Sequence, residues 1–253
     1  MLSELRDRHP VAVAIACAVL QFLVTLAILL IGKSLAPPEQ FGKIKLVAFV
    51  STLVVPIVLT QLLGLWRELS LQRFRVTPLF IASLAVCIPY LLLGLRVPDG
   101  TSIGGALSVQ AVNAFAEELL FRGVIFVLLI RLPLARALLI NAVLFGAMHL
   151  LHGIMDGDWA AAGHQALVTI LGGLVFVAVR ADTGSLWPPI LLHMLLNLSV
   201  IFSNGEASRA TGSLVIADSV SRTLQLAVFV VLVWKAWRSA AAVPIARSAF
   251  TQR

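Results

Sequence analysis

Ala116-Glu117-Glu118-Leu119-Leu120-Phe121-Arg122-Gly123 sets two carboxylates and a guanidinium inside a stretch otherwise fit for lipid. Read as one helix, residues 105–130 put these three charges near the middle. A charge at the centre of a membrane helix costs about 2.5–3.5 kcal/mol on an insertion scale. Three cost about 7–10 kcal/mol, against about 3–6 kcal/mol returned by ten good apolar residues. Such a helix inserts poorly alone. It needs polar partners from other helices, and the rest of the chain is read for them.

The 253 residues are 60% hydrophobic and 12% charged, with a mean hydropathy of +1.00. A soluble globular chain has about 45–50% apolar and about 25% charged residues. The composition therefore excludes an ordinary soluble domain. It predicts an all-α, polytopic transmembrane helix bundle whose first partner is the lipid bilayer. The net charge of +7 comes from basic residues between apolar runs, so it reads as topology-setting loop charge and not as a nucleic-acid surface. Cys17 and Cys87 lie in apolar runs and read as reduced core residues. The first apolar run is too long for a signal-peptide core and reads as a retained helix.

Eight spans are expected, at about 11–31, 46–66, 79–95, 105–130, 137–151, 164–179, 188–202 and 220–237. The fifth is short for a span and reads as tilted, extended, screened by protein or re-entrant. Pro188-Pro189 suits a helix start. The connection 67–77 reads as basic and partly amphipathic. It is either a solvated loop or a surface segment in which Leu69, Leu71 and Phe74 lie on the membrane while Arg67, Arg73 and Arg75 face anionic lipid. With the N-terminus inside, inner segments hold Arg6, Arg8, Arg67, Arg73, Arg75, Arg131, Arg136, Arg180, Lys235, Arg238, Arg247 and Arg253. Outer segments hold Lys33, Lys43, Lys45, Arg96, Arg209 and Arg222. This bias predicts cytoplasmic termini at both ends.

Residues four apart share a helix face. Glu118 and Arg122 form such a pair, while Glu117 sits about 100° round the helix. One arginine offsets one carboxylate. The other is then placed to take up a proton, as a general base does, and Glu117 is the candidate. Asn141, Phe145 and His149 recur at intervals of four on the next helix. His193 and Asn197 share a face on the seventh. No single pair is specific, but three helices each present a polar face inside an apolar bundle.

Two chemistries are open for that cluster. In one, Glu117 and a histidine deprotonate a water that attacks a peptide carbonyl, while His193 and Asn197 donate to the oxyanion. In the other, Glu117, His149 and His193 hold a zinc ion that activates the water. His-Glu-x-x-His is absent, which weakens the second. A different class also uses buried Glu, Arg and His: a non-proteolytic scaffold or immunity protein, or a proton-coupled transporter. His152 and His164 read as solvated or interfacial, and Asp156 and Asp158 as a turn.

Glu117-Glu118-x-x-x-Arg122, then Phe145-x-x-x-His149, then His193-x-x-x-Asn197 together resemble the CAAX-processing and bacteriocin-processing intramembrane proteases, the CPBP or Abi family. The lead-in Gly184-Ser185-Leu186-Trp187-Pro188-Pro189 is similar to that family's third motif. The resemblance implies an endopeptidase acting on a peptide or lipidated tail near the membrane. Glu117 and His149 would activate water, His193 and Asn197 would bind the oxyanion, and Glu118, Arg122 and Phe145 would support the site. The family is classed with metalloproteases. The expectation here is a reaction without a resident metal, with zinc as the alternative. The chain then divides into helices 1–3 at 1–104, a catalytic core at 105–203, and a last helix with a basic tail at 204–253. The expected location is a bacterial inner (cell) membrane.

Overall fold

The computed structural model describes residues 2–35, 37 and 41–242, and among them it is helical with no strand. The helices are α1 (Leu2–Arg8), α2 (Pro10–Leu35), α3 (Phe41–Leu63) and α4 (Pro78–Leu91). α5 runs as Ile103–Glu118, continues through wide π turns at Leu119–Ile125, and ends with Phe126–Leu129. After it come α6 (Leu134–Asp156), α7 (Trp159–Thr183), α8 (Trp187–Ile201), α9 (Gly205–Ala210) and α10 (Ser213–Ala242).

Local chemistry sets the ends. Thr77 and Ser102 accept hydrogen bonds from Phe80 N (3.2 Å) and Gly105 N (3.0 Å), capping α4 and α5. Gly157 (φ 78°) and Gly184 (φ 66°) close α6 and α7 in the left-handed conformation that glycine adopts most cheaply. Asp158 then caps α7 by accepting from Ala161 N (2.9 Å), so the Asp-Gly-Asp stretch is a turn. His152 and His164 are exposed.

All eight expected helices are present. Four of them, α2, α6, α7 and Ser213–Arg238 of α10, are long and apolar enough to cross a membrane. Val50–Leu63, α4 and α8 are shorter apolar helices.

Several boundaries move. α3 begins earlier than expected. The presumed loop 152–163 is helical except around Gly157, so α6 runs one and a half turns or more past His149. That extension removes the apparent shortness of this helix and keeps His149 away from its end. Much of the expected loop 204–218 is also helical. Leu69 is fully buried against Ala114, Leu119 and Leu186 and is not on the membrane surface. Arg180 is a buried part of α7 and not a turn residue. Arg247 and Arg253 lie outside the described residues.

α7 is the central post, packed against α6, α8 and α10, while α5 packs against α8 and α3. Its inner stretch from Leu174 to Val179 is buried throughout. Small residues allow close approach, as in other membrane helix pairs. A Cβ at Gly146 of α6 would stand 2.6 Å from the Ala166 carbonyl oxygen, and one at Gly173 would stand 3.1 Å from the Phe145 ring. These glycines bring α7 against the helix that carries Phe145 and His149. Cys17 and Cys87 are free and buried.

Candidate active site

Directly after the two glutamates, α5 loosens into π turns, a feature that often marks functional sites. Wide turns disturb the usual carbonyl pairing, and side chains from other helices satisfy the backbone there. Asn141 Nδ2 donates to the Phe121 carbonyl (2.6 Å), and Arg180 Nε donates to the Arg122 carbonyl (3.1 Å). Arg180 also donates to the Glu68 carbonyl (2.8 Å), tying the 64–77 connection to the same point.

Within this frame Glu118 and Arg122 are completely buried and paired, Nη1 to Oε1 at 3.0 Å. Arg122 Nη2 donates to the Gly173 carbonyl (3.0 Å). The guanidinium carbon lies 4.2 Å from the Phe145 ring centroid and 5.2 Å from that of Phe176, a cation–π arrangement. Phe145 therefore packs against the guanidinium.

His193 Nδ1 lies 2.9 Å from Glu118 Oε1. An ionised carboxylate only accepts, so Nδ1 carries the proton and donates. The ring is stacked on Phe176, centroids 4.6 Å apart and planes 17° from parallel. Its remaining nitrogen, Nε2, faces Glu117 Oε2 at 3.8 Å. That separation exceeds a direct hydrogen bond. Glu117 is the more open carboxylate, its side chain 25% exposed against 0% for Glu118.

His149 follows the same logic. Its Nδ1 is 3.2 Å from the Phe145 carbonyl oxygen, which can only accept. Nδ1 donates, and in the neutral ring Nε2 holds the lone pair. The Phe145 ring meets both histidines edge-on, its centroid 5.5 Å from that of His149 and 6.0 Å from that of His193.

The structure thus brings Glu117, Glu118, Arg122, Phe145, His149 and His193 together. Asn197 is less directly joined. It sits a turn beyond His193 on α8, and its Nδ2 donates to Gln110 Oε1 at 2.8 Å. Gln110 was not expected at the site. The available signal was its place seven residues before Glu117, two turns along the same face. Phe176 and Arg180 were missed as well, and no local pattern separates them from an ordinary core aromatic and a loop-end charge. Among the described residues no group of three or more His, Cys, Asp or Glu side chains could hold a metal ion. Glu117, His149 and His193 do not make such a group in this arrangement.

An all-helical chain with several long apolar helices around a buried carboxylate–histidine cluster is an integral membrane protein. Comparison points to a family: residues 99–199 match the family described as type II CAAX prenyl endopeptidase Rce1-like. The matched stretch holds every residue expected at the site and agrees with the resemblance carried by the three motifs. No curated protein matches the chain.

Proposed function

We propose that this protein is an intramembrane endopeptidase that cleaves a peptide bond close to the bilayer by means of water activated at Glu117. The observation that carries this is the difference between adjacent carboxylates: Glu118 is sealed against Arg122 and His193, while Glu117 is partly open and faces His193 Nε2. A water held near Glu117 and a neutral His149 would lose a proton to one of them as its oxygen attacks the carbonyl carbon. The carbon–oxygen bond forms, the carbonyl becomes an oxyanion, and the carbon–nitrogen bond then breaks. The stored proton passes to the departing amine. Protonated His193, held through Nδ1 by Glu118, would donate from Nε2 to the oxyanion, with the Asn197 amide beside it.

The family's description suggests a CAAX-type tail, prenylated or not, as the substrate class. We take the reaction to need no resident metal, both termini to be cytoplasmic, the count of spans to be eight, and the location to be a bacterial inner membrane. The excess of Lys and Arg in the expected inner segments supports the orientation. Cleavage of an internally quenched S-farnesylated CAAX peptide in detergent tests the activity. Wild type should cleave it and Glu117→Ala should not, while Glu117→Ala with full activity would overturn the assignment. Metal analysis of the active purified protein tests the cofactor reading.

A further inference from the structure

A groove of about 480 Å³ opens between α3, α5, α8 and the 64–77 connection, lined by Leu53, Phe74, Phe115, Trp187, Ile190 and Met194 among others. It is separate from the proposed cleft. Phe115 stands two residues before Glu117 and so about 200° round the helix from it. The lining is entirely apolar, and the volume falls within the roughly 300–1,000 Å³ of ligand sites. At its edge Phe74 is 57% exposed. Arg73 and Arg75, on either side of Phe74, are exposed and make no ion pair among the described residues. Trp66 and Arg67, at the start of the same connection, are exposed too.

This edge is built in place. The Ser185 hydroxyl donates to the Arg73 carbonyl, Trp187 Nε1 donates to the Leu71 carbonyl (2.7 Å), and Arg180 holds the Glu68 carbonyl (2.8 Å). Buried Leu69 anchors the middle. The two arginines are therefore carried on fixed backbone beside an apolar slot. In a bilayer, aromatic and basic residues gather at the headgroup boundary, and apolar surface just inside it meets acyl chains. A guanidinium suits a phosphate in geometry and charge.

We propose that this groove is a binding site for an anionic phospholipid, one acyl chain lying along Phe115, Ile190 and Met194 and the phosphate lying against Arg73 and Arg75. Trp187 opens α8 and Phe115 belongs to α5, with their rings 6.0 Å apart. The bound lipid would brace the seam between the helices that carry His193 and Glu118. The site does not depend on what the protein cleaves.

The test uses full-length protein in phosphatidylcholine nanodiscs containing a minor fraction of either brominated phosphatidylglycerol or brominated phosphatidylcholine. Bromine on the acyl chain quenches nearby tryptophan, and the difference between wild type and Trp187→Phe isolates Trp187. Phosphatidylglycerol should quench Trp187 at lower mole fraction than phosphatidylcholine. Arg73→Gln/Arg75→Gln should reduce that preference by about 25-fold, since each arginine near the surface contributes about fivefold. Equal quenching by both lipids, or an unchanged preference in the double variant, overturns the site. So does displacement by farnesyl-cysteine methyl ester that is insensitive to the two arginines, which would assign the groove to a prenyl chain. Native mass spectrometry of retained phosphatidylglycerol, on wild type and Arg73→Gln/Arg75→Gln alone, gives the same answer without altering Trp187.

Discussion

Around Glu118 the molecule is closed: carboxylate, guanidinium, Gly173 carbonyl and two aromatic rings fit together with no solvent access to the pair. Around Glu117, one residue along the same helix, it is open. The side chain is partly exposed, its nearest ionisable neighbour is 3.8 Å away, and His149 turns only one ring nitrogen to the backbone. A buried ion pair with every neighbour fixed is a poor proton carrier and a good strut. A carboxylate with room beside it is the reverse. The two sides should therefore respond differently to substitution, one in stability and the other in rate.

The largest separation is expected at Glu117. Glu117→Gln should lower kcat/KM on a quenched CAAX peptide by about 10²–10⁴-fold, the range for losing a general base. The unfolding midpoint in detergent should stay near wild type. An equal loss of both would dissolve the distinction between the sides. Next comes Arg122→Met, which leaves a buried carboxylate without its cation and should cost about 3–5 kcal/mol in chemical denaturation. Glu118→Gln/Arg122→Met should recover part of that loss, because the uncompensated charge is gone.

Gly146→Val tests the frame common to both sides. Its Cβ would stand 2.6 Å from the Ala166 carbonyl oxygen, which is backbone and cannot swing aside. Overpacking of this kind costs about 1–3 kcal/mol, measurable by thermal unfolding. On the open side, Gln110→Leu removes the acceptor that orients Asn197. The hydrogen bond is worth about 1 kcal/mol, so activity should fall about fivefold. It should fall no further in an Asn197→Ala background, and additive losses would separate Gln110 from Asn197.

The smallest effect lies outside the spans. Asp7 in α1 is held below its usual value by its hydrogen bond to Arg6 and, across the bundle, to Arg131. A depressed carboxylate adds stability above its unfolded value, about 3.9, and loses it as the pH falls through the lower folded value. Protease release of the N-terminal segment should rise on acidification below about pH 4 in wild type. Asp7→Asn should show that release already at neutral pH.

Much of the bundle is legible in the chain. Long apolar runs, the prolines in the first turn of α8 and the turn glycines mark elements by local chemistry alone. So do the spacings of four that put Glu118 with Arg122 and Phe145 with His149. What failed did so where a polar residue is buried by distant contacts. Arg180 reads as a loop charge because its acceptors, the carbonyls of Arg122 and Glu68, lie 58 and 112 residues away. Leu69 reads as interfacial because its neighbours Ala114, Leu119 and Leu186 are remote in sequence.

By itself the sequence determined that three charges must enter an oily bundle, and that His and Asn on other helices were available to meet them. Hydropathy and helical spacing are local properties, so they survive without coordinates. Helical spacing already paired Glu118 with Arg122 and left Glu117 apart, but only the tertiary structure decided that His193 is held by Nδ1 with Nε2 directed at Glu117. It also decided that Asn197 turns to Gln110. Those outcomes depend on which helices approach closely, which Gly146 and Gly173 permit, and on where the π turns leave carbonyls for Asn141 and Arg180 to claim.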